Sequence, residues 1–194
     1  MNLKNTIVLA LFCFSLAITA SAQSTDAKIK AGMARFPGIE RSEMEQLIAA
    51  KQVMSVALPK WLPAGFKLEG IKSRLGRAVA IEDREFIIIY SRKLTSGKTQ
   101  RFALEAGFDG LGDLMYDGAK ILSTPVGKIH LLYEPKDADQ NGKKLKNYVM
   151  TEWFNVGKTA FHYIGWYGGE EDDPDLAMIS LADTEKILRS LQKL

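Results

Sequence analysis

The first hydrophobic pattern in the chain belongs to no folded element. Ile7 to Ile18 is a short apolar run, preceded by Lys4 and followed by Ala20-Ser21-Ala22. A basic start, an apolar stretch and a small-residue site are the three parts of a cleavable export signal. The run falls short of the roughly 20 residues that cross a bilayer comfortably. Residues 1–22 therefore read as a signal peptide, with Gln23 as the first mature residue. No later stretch is long and apolar enough to predict a membrane segment after cleavage. Residues 23–41 read as a flexible N-terminal segment, because Ser24 to Lys30 is polar and Phe36-Pro37-Gly38 breaks any early helix.

From Ser42 the spacing turns helical. Ser42 suits an N-cap and Glu45 follows three residues later, as in a capping box. Met44, Leu47 and Ile48 form a stripe that extends to Val53 and Met54. Pro59 ends it, since proline disfavours helical geometry in the residue before it. Strand-like patterns follow at Phe66–Ser73, Ala78–Glu82 and Phe86–Tyr90, the last a continuous apolar run suited to burial on both faces. After a turn at Ser96-Gly97, Phe102, Leu104 and Ala106 alternate with Arg101, Ala103 and Glu105. Gly107–Gly118 is loop-like, and strands resume at Ala119–Leu122 and Lys128–Glu134. Tyr148–Phe154 and Thr159–Trp166 predict a hairpin about Val156-Gly157. Ser180 caps a last helix, with Asp183 at its third position and Thr184, Ile187, Leu188 and Leu191 on one face. The pattern predicts a single α+β domain over 42–194. Its curved antiparallel sheet has about six strands, and an N-terminal and a C-terminal helix pack on it.

Cysteine content and charge narrow the function. Cys13 is the one cysteine, and it lies within the leader. Phe12 stands where lipid attachment would want a small residue. The mature chain thus has no disulfide, no thiol nucleophile and no thiolate metal site. With Lys4 removed, 25 Lys and Arg face 23 Asp and Glu, a balance of +2. That is too mild to imply nucleic acid or an anionic membrane as partner.

Several motifs resemble chemistry without completing it. Ser96-Gly97-Lys98-Thr99 ends like a phosphate-binding loop, but Arg92 stands where the first glycine belongs. Asp137-Ala138-Asp139-Gln140-Asn141-Gly142 starts like a calcium loop, yet Tyr148 occupies the place of the bidentate glutamate and lysines crowd it. Glu170 to Asp175 reads as a solvated acidic loop, with a divalent cation as the alternative. His130 and His162, the only histidines, sit in predicted strands with no metal or nucleophile motif beside them. Gly107 to Gly112 lacks dinucleotide spacing. No cofactor and no metal are expected, and the chain reads as a non-enzyme.

Trp61-Leu62-Pro63-Ala64-Gly65-Phe66-Lys67-Leu68 resembles the opening of a family of exported bacterial domains of unknown function. That family occurs in surface lipoproteins and in anti-sigma-factor-like proteins. The opening is also similar to the C-terminal domain of periplasmic regulators of the envelope-stress sigma factor. Phe86–Tyr90, Gly127-Lys128-Ile129, Thr151-Glu152-Trp153 and Ile187–Leu191 follow in the family's order. The resemblance covers Leu58 to Leu194. It implies a sheet-plus-helix binding or sensory module, while this chain lacks the family's lipid anchor or transmembrane helix.

The aromatic hairpin carries the sharpest expectation. With Val156-Gly157 as its turn, Tyr148, Met150, Phe154, Phe161 and Tyr163 share one face, opposite Val149, Thr151, Trp153, His162, Ile164 and Trp166. The C-terminal helix can cover one apolar face. Either the N-terminal helix covers the other, or part of it stays open to a ligand. The expected function is a non-catalytic exported binding or sensory module, periplasmic or secreted, for an apolar ligand or a partner envelope protein. Tyr148, Met150, Phe154, Phe161 and Tyr163 are its expected ligand-binding residues. The alternatives are a periplasmic hydrolase using a histidine with an acidic residue, and a structural accessory subunit.

Overall fold

The computed structural model describes residues 25–108, 120–133, 149–168 and 175–194. The segment expected to be loose instead opens with a helix, α1, over 25–35. Ile29 and Phe36 explain it: both are buried in the core, at 2% and 1% exposure. Between them Gly32 lies so close to Met44 that a Cβ there would come within 2.6 Å of its sulfur. The chain then turns at Phe36-Pro37-Gly38, as expected, into α2 (Arg41–Ala50). The cap of α2 is Glu40 and not Ser42. The Glu40 amide donates to the Glu43 carboxylate at 2.7 Å, which fixes the helix start two residues earlier. Ile39 and Met44 occupy the flanking positions of a hydrophobic staple, and both are buried.

Strands β1 (Ala57–Pro59) and β10 (Leu191–Lys193) form a small antiparallel ribbon. Among the described residues the main sheet comprises eight strands, more than the six expected. These are β2 (Lys67–Arg74), β3 (Glu85–Lys93), β4 (Thr99–Gly107), β5 (Lys120–Thr124), β6 (Gly127–Tyr133), β7 (Val149–Thr151), β8 (Phe154–Val156) and β9 (Thr159–Ile164). Their order is β2-β3-β4-β9-β7-β6-β5, with β8 also on β9, and every pairing is antiparallel. Ala78–Glu82 is not a strand. It lies in the turns between β2 and β3, held by Val79 N–H to Gly76 O at 3.0 Å and Asp83 N–H to Ala80 O at 3.1 Å. Ser96-Gly97 is the β3–β4 hairpin turn, closed by Leu94 N–H to Lys98 O at 2.8 Å.

All three helices pack on one face of the sheet. Their buried residues join Phe86, Ile88, Tyr90, Phe102, Leu104, Phe161 and Tyr163 in a single core. Helix α2 meets β2 near one edge, and α3 (Leu181–Arg189) meets β5 at the other. The N-terminal helix therefore does not cover the second face. Phe102 is the hub of the core, with ring centroids of Phe66, Tyr90 and Tyr163 at 5.5, 5.0 and 5.4 Å. Tyr163 links this stack to α3 by a 3.2 Å hydroxyl contact with Thr184. Ser180 caps α3 as expected, its Oγ accepting from the Asp183 amide at 3.1 Å. Among the described residues no helix is long and apolar enough to cross a membrane.

Candidate functional site

The expected ligand face is occupied by the protein itself. Phe161 and Tyr163 are 0% exposed and Phe154 is 6% exposed, all within the core beneath the helices. Met150 leaves that group altogether. It pairs with Ile164 across β7 and β9, whereas Phe154 pairs with Phe161 across β8 and β9. Those two pairings differ in register by one residue, because Glu152 and Trp153 interrupt the strand between β7 and β8. A one-residue offset turns every side chain beyond it to the opposite face. Val149 and Thr151 accordingly join the core, and Met150 points to the helix-free side. The hairpin turn is Gly157-Lys158, one residue later than expected. Tyr148 lies outside the described residues, as do the calcium-like motif and Glu170 to Pro174.

The helix-free face gathers the two histidines. His162 lies directly across from Glu105 in the β4–β9 register, its Nδ1 3.7 Å from the carboxylate. His130 Nδ1 stands 2.8 Å from Glu152. The Trp153 ring sits 5.2 Å from the His162 ring. His162 is 9% exposed, and its Nε2 is buried with no hydrogen-bond partner. Such an arrangement can orient an imidazole, but the far nitrogen is closed to solvent and so to a substrate in this structure. A hydrolytic triad would also need a nucleophile at Nε2, and among the described residues no hydroxyl is within hydrogen-bond distance of that atom. Among the described residues no three His, Cys, Asp or Glu side chains converge to hold a metal. Glu105 was legible as the polar member of the β4 alternation. Glu152 was not assigned to His130, because the bulge that brings it there has no simple spacing.

A second region lies where α1, α2, β10 and the β8–β9 turn meet. Two adjoining cavities of about 380 and 320 Å³ share Lys51, Gln52 and Leu194 as a common wall. Gly32, Phe36 and Ile48 line the first, and Val53, Met54 and Phe108 line the second. The elements around them are tied together. The Ser55 amide donates to Thr159 Oγ1 at 2.9 Å, and the Leu194 amide to Val56 O at 3.0 Å. Arg35 reaches Gln192 Oε1 at 2.6 Å while its guanidinium lies 4.9 Å over the Phe36 ring. Gly157 closes this end of the sheet with φ +69, and a Cβ there would meet Ser55 Oγ at 2.7 Å. No periodic signal marks this region, because its walls come from separated segments.

Neither a scan against protein-family models nor searches of curated proteins and of solved structures match this chain.

Proposed function

We propose that the protein is an exported, non-catalytic binding module whose apolar ligand sits in the paired cavities between α1, α2, β10 and the β8–β9 turn. One observation carries this reading. Two adjoining cavities with apolar walls open between the helices and the terminal ribbon, whereas the aromatic hairpin face is filled by core side chains. Ligand sites are concave, mostly apolar and furnished with a few polar groups. Export is supported by Lys4, the apolar run Ile7–Ile18 and Ala20-Ser21-Ala22. The test is binding of a neutral hydrophobic dye to the chain and to a Val53→Trp variant. Val53 is 37% exposed at the cavity rim, so a larger ring there fills space without entering the core. Dye binding should fall sharply with an unchanged melting temperature. Undiminished binding in the variant would reject the groove.

A second reading, a hydrolase acting through His162, is favoured by its contact with Glu105 and by its unpartnered Nε2. It ranks lower because among the described residues nothing nucleophilic meets that nitrogen, which is closed to solvent. Turnover of a simple activated ester that disappears in His162→Gln, with folding intact, would reverse the ranking.

A further inference from the structure

The groove has a charge that an apolar ligand alone does not explain. Lys28 and Arg35 line the first cavity, Lys158 and Lys193 the second, and Lys51 the wall between them. Among the described residues no aspartate or glutamate side chain lines either cavity. Elsewhere the surface cations find acids: Lys30 and Arg41 share Asp26, Arg101 holds Glu69, and Lys120 holds Glu185. Among the described residues no such partner meets Lys28, Lys51, Lys158 or Lys193.

Helix electrostatics account for part of this. Helix α1 ends at residue 35 and α2 at Ala50, so both C-terminal ends border the groove. Each end amounts to about half a negative charge, which Arg35 and Lys51 are placed to balance. Lys28 lies within α1, Lys158 in a hairpin turn and Lys193 in β10, away from either helix end. Even with a carboxylate at Leu194 counted, positive charge remains in excess around apolar walls.

We propose that the groove takes a single-chain anionic amphiphile, its acid group against Lys51 and Lys193 and its tail along the apolar walls. This rests on the binding-module reading and names its ligand class. The occupant is a free molecule and not a bilayer surface. The site is a pair of recesses, and of the large exposed apolar residues Met33, Val53, Trp61, Ile81 and Ile121 only Val53 lines them. A membrane-seeking face would instead present such residues on one amphipathic stripe.

The experiment titrates the full chain with sodium oleate, methyl oleate and oleylamine below their aggregation thresholds, by calorimetry. Oleate should bind at least about tenfold more tightly than its methyl ester, a gap of about 1.4 kcal/mol. Lys51→Gln combined with Lys193→Gln should erase most of that preference, and both side chains are exposed, so the fold should persist. Raised salt should weaken oleate and leave the ester unaffected. Equal binding of oleate and ester overturns the anionic assignment while the groove itself stands. Binding of neither overturns both. Preference for oleylamine, or retention by phosphatidylglycerol vesicles without affinity for oleate, also overturns the proposal.

Discussion

Ser180 shows how one side chain can be read correctly from sequence alone. Its spacing to Asp183 predicted the cap, and the 3.1 Å bond to the Asp183 amide supplies it. Ser180→Ala should cost about 1 kcal/mol in a denaturant titration, since an orphan amide then loses its acceptor. Tyr90 illustrates the opposite situation. Its hydroxyl is fully buried with no partner, at a position where the strand pattern predicted only an apolar residue. Burial pushes this hydroxyl well above the ordinary tyrosine range, and that of Tyr163 too. Folding therefore favours the neutral forms. The stability they contribute is full below about pH 10 and is lost as pH climbs further. Tyr90→Phe should leave stability at neutral pH equal or higher, because an unsatisfied polar group is removed. It should also flatten the alkaline loss, as read from melting temperatures between pH 8 and 11.

At the scale of elements, periodicity revealed those whose apolar residues are dense. Strands β3 and β4 were legible because Phe86 to Tyr90 and Phe102 to Ala106 supply uninterrupted patterns. Helix α1 was not, because its buried face is Ile29, Gly32 and Phe36, and the middle position is a glycine. That glycine is chosen by the neighbour and not by the helix, which needs room for Met44. Gly32→Val should separate α1 from α2 and cost roughly 1–3 kcal/mol, as overpacked contacts do. The hairpin was assigned within a residue of its place, with Phe154, Phe161 and Tyr163 correctly on one face but Val149, Met150 and Thr151 on the wrong ones, since the register offset at Glu152-Trp153 leaves no trace in hydrophobicity. Phe161→Ala checks the corrected face. It should destabilise by about 3–5 kcal/mol in chemical unfolding. A loss below about 1 kcal/mol would mean that the ring is not in the core.

For the whole molecule, the class of fold was legible and the place of the site was not. An antiparallel sheet flanked by terminal helices follows from runs of strands between two helical stripes. The paired cavities follow from how α1, α2, β10 and the β8–β9 turn come together, which no local pattern encodes. The proposed export makes a prediction at this scale. Intact mass or N-terminal sequencing of secreted material should place the new terminus at or near Gln23. Retention of residues 1–22 in the exported, folded fraction would refute cleavage.

The ribbon of β1 and β10 sets an order of events. Pro59 is paired with Leu191 and Ala57 with Lys193, although nearly the whole domain separates them along the chain. On the proposed export, a polypeptide threaded through a membrane N-terminus first would deliver β1 well before β10. Until residues 191–193 emerge, β1 has no ribbon partner and the groove has no Lys193. Assembly of the proposed binding site would then wait for residues 191–193. A translocating chain stalled before residue 190 should bind no oleate, and the same chain should acquire binding within the time of one folding event after release.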